Sequence, residues 1–338
     1  MVARSPSHAG SWYTASRQQL SQQLDGWLAA VPSSTTPIGT ASAHQGHVSL
    51  PARNARAIIA PHAGYSYSGP AAAWAYKSVD WANAKRVFVL GPSHHYYLPG
   101  AATTACDTYA TPLGDLAIDT ALVQSLQQTW PLETMTRRVD EAEHSLEMHL
   151  PYIYKMLSLT NHAFQASPPS VPLVPLLIGN TDPTTESRYG ALLAPYLADP
   201  ANLFVISSDF CHWGSRFRYT YYAPRDGAPA SHLRSGSDWD AAGWPIHESI
   251  RAVDAESMDA VESGRHDVFL AQLEGTGNTV CGRHAIGVFM AAVESAGLVH
   301  GDDEGARGRF NFVRYERSDL VTHVGGSSVS YASAFAVL

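Results

Sequence analysis

The sequence predicts a single α/β domain over residues 1–338, with a central, mostly parallel or mixed β-sheet flanked by helices. Short apolar runs without polar–apolar alternation recur along the chain, and such runs are typical of strands that are buried on both faces. Longer helix-capable segments separate these runs, and a strand followed by a helix, repeated, indicates a layered α/β fold. The composition does not change across the loops, which favours one domain over two.

The predicted elements alternate in chain order. Strands are predicted for the apolar runs at residues 57–60, 86–90, 171–178 and 202–206. Helices are predicted for residues 69–79, 118–128, 186–197 and 285–295. Two further strands, at 310–315 and 328–334, are expected to close the sheet. The segments 31–54 and 223–238 are rich in Ser, Pro and Gly and lack periodicity, so we predict mobile surface loops there.

Composition and charge exclude several classes of protein. Hydrophobic residues make up 45% and charged residues 15% of the chain, which excludes a disordered protein. The net charge of −8, without any basic run, argues against nucleic-acid binding. No stretch approaches the roughly 18 apolar residues of a membrane span, and the N-terminus lacks the apolar core of a signal peptide. We therefore expect a protein that is not inserted in a membrane and resides in the cytoplasm, with the nucleus as a second option.

Histidines follow three of the apolar runs at the point where each run ends. The chain has 16 His, and His62, His94 and His212 each come shortly after a predicted strand. Ligands of open α/β sheets bind beyond the carboxyl ends of the strands, so three strands that each deliver a histidine there predict one common site. Neighbouring side chains of an extended segment alternate between faces. Of His94 and His95, one is thus expected to enter the site and the other to support it.

Cys281 precedes the last predicted helix and is a further candidate. The chain has 3 Cys, an odd number that argues against a disulfide scaffold. A helix N-terminus favours a thiolate, which is both a nucleophile and a soft metal ligand. A buried, unreactive thiol is an equally weighted alternative for Cys281. Cys211 adjoins His212 in an extended segment and is expected to face away from whatever His212 faces.

The acidic segment at residues 140–151 supplies two more candidates. His144 and Glu147 are three residues apart and share a helix face. His149 does not share that face, so the pattern of a zinc metalloprotease is absent. Two interpretations stay open: a capped surface helix, or a position of His144 and Glu147 at the rim or outer shell of the site. Tyr65, beside His62, is a further candidate for the pocket rim.

Seven motifs are distributed along the chain: SHAGSWYTAS, ARAIIAPHAGYSYSG, LGPSHH, EHSLEMHLPY, NLFVISSDFCHWG, NTVCGRH and SSVSYA. Together they resemble the Memo family, whose animal members are linked to receptor-tyrosine-kinase-driven cell motility and to redox metal handling. The resemblance extends from about Ser7 to Ala332. The segment 31–54 is longer than expected for the family, and 223–238 differs slightly, but neither carries a motif.

The resemblance implies a fold similar to that of class III extradiol dioxygenases, which hold non-haem iron with two His and a carboxylate. It implies metal ligation by His62, His94 and Cys281, with the cysteine standing where those enzymes have a glutamate. It also implies that His212 occupies the position of their acid–base histidine, with Asp209 beside it. Two His with one Cys form a softer set than two His with a carboxylate. We therefore expect one transition-metal ion, copper or iron, with zinc as a further option.

Three functions are compatible with these residues. The first is a cytosolic metal-binding protein with a role in redox or metal homeostasis or in motility signalling. The second is an active enzyme at the same cleft, either a non-haem iron oxygenase or a metal-assisted hydrolase, with His212 as acid–base. The third is a binding module for phosphotyrosine-containing proteins, in which Arg216, Arg218 and Arg283 offset the acidic net charge.

Overall fold

The structure, a computed structural model, describes residues 2–166, 171–225, 227–234, 243–299 and 307–338. In these ranges the helices are α1 (Arg17–Ala30), α2 (Tyr65–Lys77), α3 (Thr120–Thr129), α4 (Arg137–Ala142), α5 (His144–Glu147), α6 (Leu150–Thr160), α7 (His162–Gln165), α8 (Pro183–Leu197), α9 (Ile246–Glu262), α10 (His266–Thr276) and α11 (Arg283–Ser295). The strands are β1 (Ala3–Arg4), β2 (Ser34–Thr35), β3 (Val48–Ser49), β4 (Ala55–Ala60), β5 (Arg86–Pro92), β6 (Ala101–Thr104), β7 (Thr108–Thr111), β8 (Gly114–Ala117), β9 (Leu132–Met135), β10 (Leu173–Ile178), β11 (Asn202–Ser207), β12 (His212–Trp213), β13 (Tyr221–Tyr222), β14 (Ser231–His232), β15 (Phe310–Arg317) and β16 (Ser328–Val337).

A mixed sheet forms the centre of the domain, which confirms the predicted α/β class. Its strand order is β12-β16-β4-β11-β5-β10-β6-β9, and β15 pairs with β16. The strands β4, β11, β5 and β10 are parallel to their neighbours within this group, whereas β16 and β6 flank the group in antiparallel orientation. The side chains of β10 and β11 are buried on both faces, as their continuous apolar sequences predict.

The register of the parallel strands brings three strand ends to one edge of the sheet. Ser207, the last residue of β11, pairs with Ala60, the last residue of β4. On its other side β11 pairs Ile206 with Leu90, near the end of β5. The segments that follow β4, β11 and β5 therefore start next to one another, as expected for a ligand site at the carboxyl ends of parallel strands.

Most helices begin earlier than the sequence pattern predicts. The helix predicted for 186–197 begins at Pro183, because the Asp182 side chain accepts a hydrogen bond from the backbone N–H of Thr185 and caps the first turn. The helix predicted for 69–79 is α2, which begins at Tyr65 and continues through Pro70. No helix in the described ranges combines the length and the apolarity needed to cross a membrane.

The two segments predicted as loops contain short pieces of structure. In 31–54, β2 pairs with β3, and a 3-10 turn covers Ser42–Gln45. This turn is tied to α9 because Ser42 Oγ donates a hydrogen bond to the Glu262 carboxylate. In 223–238, β14 pairs with β13, while residues 226 and 235–238 lie outside the described part of the chain.

Candidate metal site

Three imidazoles meet at the sheet edge where β4 and β5 end. His62 follows β4, His94 follows β5, and His144 is the first residue of α5. One ligand atom of each lies within 4.8 Å of the others. They open into a cavity of about 700 Å³ whose lining includes His212 and Asp209. The structure thus brings together the three strand-end histidines of the sequence analysis and adds His144 to them.

Hydrogen bonds fix which nitrogen of His62 faces the site. Its Nδ1 lies 2.6 Å from Ser207 Oγ, and this hydroxyl donates its own hydrogen to the carbonyl oxygen of Ser145 at 2.8 Å. Ser207 must therefore accept a hydrogen from Nδ1, which leaves the lone pair of His62 on Nε2. Burial, together with the nearby imidazoles, lowers the pKa of His62 well below its usual value and keeps the ring neutral.

Glu143 orients His94 in a comparable way. One carboxylate oxygen accepts the backbone N–H of His94 at 2.6 Å, and the other accepts from Nδ1 at 2.9 Å. Burial alone would raise the pKa of Glu143, but the hydrogen bonds and charge interaction with His94 outweigh it and lower the pKa to about 2. The lone pair of His94 is thus left on Nε2, the arrangement in which a carboxylate holds a metal-binding imidazole.

Glu143 is a residue of the candidate site that the sequence analysis missed. It is one of several acids before His144, and the pattern does not distinguish a carboxylate that holds a histidine from one that caps a helix. It does both, since its side chain also accepts from the backbone N–H of Ser145 at the start of α5. Only the position of α5 beside the end of β5 distinguishes Glu143 from its acidic neighbours.

His144 is buried within the site, so the surface-helix interpretation of this segment is wrong. Its ring stacks on the ring of His94, with centroids 4.3 Å apart, and packs against Trp12 at 4.4 Å. Burial, reinforced by the neighbouring imidazole of His94, lowers the pKa of His144 to about 3. The ring therefore stays neutral, and a neutral imidazole is the form that binds a metal ion.

The remaining rim candidates lie farther from the three imidazoles. Glu147 is buried, but its carboxylate binds Arg4 Nη1 at 2.6 Å and Tyr13 Oη at 2.8 Å. The hydroxyl of Tyr65 is buried and donates to the carbonyl oxygen of Met148 at 2.7 Å. His95 is exposed, with its ring centroid 5.7 Å from that of His144. Glu147 and Tyr65 thus anchor the segment that carries His144.

Cys281 stands immediately before α11, next to the end of β11. Its sulfur lies 3.2 Å from Nε2 of His62 and accepts the backbone N–H of Asp209 at 3.2 Å. Gly282 makes this approach feasible, since a Cβ there would come within 2.5 Å of Ser208 Cβ. Burial, followed by the charge of Asp209, raises the pKa of the Cys281 thiol well above its usual value. Of the two alternatives left open for Cys281, the buried thiol is therefore the form that its surroundings favour over the thiolate.

His212 lines the same cavity and has a fixed tautomer. Its Nδ1 lies 2.9 Å from the carbonyl oxygen of Phe210 and 3.2 Å from that of Thr279. Because carbonyls only accept, Nδ1 carries the hydrogen and Nε2 is free to exchange a proton. Asp209 is buried, where its carboxylate accepts the backbone N–H of His62 at 2.9 Å, and burial raises its pKa. Cys211 belongs to a separate apolar cluster, as the alternation along the strand predicts.

The donor set fits a transition-metal ion. The lone pairs of His62 and His94 both reside on Nε2, as judged from the hydrogen bonds of Nδ1. Each imidazole has the outer partner that metal-binding histidines require, the hydroxyl of Ser207 for one and the carboxylate of Glu143 for the other. A sulfur lies beside His62. Two nitrogens with a nearby sulfur suit copper, zinc or iron better than magnesium or calcium.

Comparisons with known proteins place the whole chain in one family. A family model described as Memo-like protein matches residues 4–335. Protein MEMO1 of Danio rerio is 43% identical over 333 residues, covering 98% of this chain and 97% of the relative. Protein MEMO1 of Homo sapiens is 41% identical with the same coverage. Protein memo-1 homolog of Caenorhabditis elegans is 39% identical over 330 residues, covering 98% of this chain and 81% of the relative.

Solved structures include one distant match. The uncharacterized protein JW3007 from Escherichia coli K12 aligns with 82% of this chain and 99% of its own, at 15% identity and a TM-score of 0.42. A match at this level supports no inference about function. The family assignment depends instead on the full-length match to the family model and on relatives that are about two-fifths identical over nearly the entire chain. The chain therefore belongs to the Memo family.

Proposed function

We propose that the protein binds one transition-metal ion, copper or iron, through His62, His94 and Cys281, and serves redox or metal homeostasis in the cytosol. The observation that carries the proposal is the pair of imidazoles whose Nδ1 atoms are committed to Ser207 and Glu143, which leaves both Nε2 atoms beside one cavity, that of His62 buried and that of His94 more open to solvent. In the absence of an ion the Cys281 thiol lies within hydrogen-bond distance of His62 Nε2, at 3.2 Å, and a metal ion that takes the place of the thiol proton would bind this nitrogen and the sulfur together.

The chemistry of the donors narrows the choice of ion. A thiol gives up its proton when it coordinates a metal, and a thiolate favours copper or zinc over a hard cation. Iron is retained because imidazole nitrogens also bind Fe(II), and the adjoining cavity of about 700 Å³ leaves room for a further ligand. When bound, such an ion would supply one-electron chemistry, and the chain's own residues would hold it and set its donors.

Metal titration of anaerobically purified protein tests the proposal. Wild type is expected to take up one equivalent of Cu(I) or Fe(II), and His62→Ala and Cys281→Ala are expected to bind more weakly. Cys106→Ala is the matched control, because Cys106 is also a buried thiol but belongs to the main core away from the imidazoles. Equal uptake by wild type and the three variants would refute the proposal.

A second candidate function is catalysis at the same cleft, by an oxygenase or a metal-assisted hydrolase. It is favoured by His212, whose fixed Nδ1–H leaves Nε2 free in the cavity wall. A positioned histidine contributes roughly 10²–10⁴-fold as an acid or base. Oxygen consumption after anaerobic loading with Fe(II), measured with a panel of catechols, tests it, with His212→Gln as the comparison. Turnover that depends on His212 supports catalysis, and absence of turnover speaks against it.

Phosphotyrosine binding has weaker support. Arg216 lies in the cavity wall and stacks on Phe217, with 4.6 Å between the guanidinium carbon and the ring centroid. Arg218 and Arg283 are not among the described residues that line the cavity. The wall also contains Asp209 and Asp319, whose charge opposes a phosphate. Binding of a phosphotyrosine peptide that survives chelation and the loss of Cys281 would favour this function over metal binding.

A further inference from the structure

We propose that His144 is a third imidazole ligand of the metal ion, beside His62 and His94. This inference rests on the proposed function, because it concerns the same ion. It extends the ligand set with the first residue of α5, and the sulfur of Cys281 becomes a fourth donor in addition to the three imidazoles.

The first support is distance. One nitrogen each of His62, His94 and His144 lies within 4.8 Å of the others, so a single ion placed among them can reach all three. The sulfur of Cys281 is outside this group and is close to His62 alone, at 3.2 Å. Among the described residues, three nitrogens therefore approach one point more closely than two nitrogens and the sulfur do.

The second support is an unsatisfied atom. Nδ1 of His144 is buried and has no hydrogen-bond partner in the described part of the chain. The nearest acceptor, an oxygen of Glu143, is 3.5 Å away and already accepts from His94 and from the Ser145 backbone. An unpaired polar atom in the interior costs free energy. A cation bound at Nδ1 itself would satisfy this nitrogen.

The third support is rigidity. Ser145, the residue after His144, donates its hydroxyl to the carbonyl oxygen of Pro92 at the end of β5, at 2.7 Å. Its own carbonyl oxygen accepts from Ser207 at the end of β11, at 2.8 Å. These two bonds tie α5 to both strand ends, so the spacing of the three imidazoles is set before any ion arrives. Such prior positioning is what a metal site requires.

Electron paramagnetic resonance of bound Cu(II) counts the coordinated imidazoles directly. The measurement uses full-length Cys281→Ser protein with one equivalent of Cu(II), since the serine prevents reduction of the ion by the thiol. We expect three coupled imidazole nitrogens in Cys281→Ser and two in Cys281→Ser/His144→Ala. The copper affinity of the double variant should fall by at least the roughly 10–100-fold that loss of an outer-shell partner costs.

The control is Cys281→Ser/His47→Ala, which removes an exposed histidine from the segment 31–54 and should keep three nitrogens. The Cys281→Ser spectrum decides the question even if the double variant does not fold. Two coupled imidazoles in Cys281→Ser would overturn the role of His144 while leaving the metal site intact. Absence of stoichiometric copper or iron binding by wild type would overturn this inference together with the proposed function.

Discussion

Replacement of Glu143 by Gln removes one charge and keeps the shape of the side chain, and it tests the positioning of His94. Each carboxylate oxygen accepts from a backbone N–H, one from His94 at 2.6 Å and the other from Ser145 at 2.9 Å. A backbone N–H can only donate, so both of these contacts require an oxygen as the acceptor. In Glu143→Gln, the amide NH2 must therefore face one of these N–H groups in either orientation of the side chain.

The size of the effect follows from these contacts. Hydrogen bonds to a charged group contribute about 1.5–3 kcal/mol, and a buried donor left unpaired costs about 1–3 kcal/mol. When the amide NH2 takes the place of the oxygen that faces Nδ1, the ring of His94 must also turn its hydrogen to Nε2 to keep a bond, which removes the lone pair that would bind the ion. We expect metal affinity to fall by about 10–100-fold, the usual loss for an outer-shell carboxylate.

The assay is a metal titration of folded Glu143→Gln against a competing chelator, with the free energy of unfolding measured separately in urea. Glu141→Gln is the matched control, because Glu141 is a neighbouring, half-buried carboxylate that binds Arg137 at 2.8 Å and the backbone N–H of Ser5 at 2.8 Å instead of His94. We expect its metal affinity to equal that of wild type. Unchanged affinity in Glu143→Gln, with only stability reduced, would refute the positioning role.

Three further predictions concern stability. Gly282→Ala places a Cβ against the carbonyl oxygen of Ser207 and should cost about 1–3 kcal/mol, seen as a lower Tm, whereas Gly275→Ala has open space and should cost nothing. Burial lowers the pKa of His149 to about 3, whereas the same side chain in the unfolded protein takes up a proton near pH 6.5, so the free energy of unfolding falls as the pH drops from about 6.5 to 3. His149→Gln should make the dependence of this free energy on pH less steep by up to about 1.4 kcal/mol per pH unit. Parallel curves for wild type and His149→Gln would contradict this. Arg4→Met leaves two buried carboxylates without their cation and should cost about 3–5 kcal/mol in urea unfolding; a loss below 1 kcal/mol would count against it.

The central strands were predictable because a strand that is buried on both faces consists of consecutive apolar residues. The runs before His62 and His94 are continuously apolar, and a parallel sheet is the structure that hides such runs between helices. Their meeting point followed from topology, since parallel strands present their carboxyl ends at one edge. The location of His62, His94 and His212 around one cavity could therefore be predicted from the sequence without knowing the structure of the loops between them.

The chemistry of the site was less predictable because it depends on contacts between distant segments. The role of Glu143 arises from α5 lying against the end of β5, an arrangement held by the bond from Ser145 to Pro92. The state of Cys281 depends on burial and on the charge of Asp209, which together outweigh the helix N-terminus. Local sequence patterns indicate the propensity for helix or strand and the periodicity of apolar residues. They do not give the distances between side chains of distant segments, on which the role of Glu143 and the state of Cys281 depend.

The N-terminal strand β1 shows that the geometry of the candidate site also depends on a residue at the start of the chain. Arg4 is fully buried, and its Nη2 donates to the carbonyl oxygen of Glu143 at 2.8 Å, while its Nη1 binds the carboxylate of Glu147 at 2.6 Å. The backbone of Glu143 is thus held by Arg4, and its side chain holds His94. Because β1 pairs with β7 and not with the central sheet, the guanidinium fixes the acidic segment to a layer that does not carry the proposed ligands His62 and His94. The position of His94 therefore depends on a residue 90 positions away in the chain, which explains why metal affinity and global stability should fall together when Arg4 is lost.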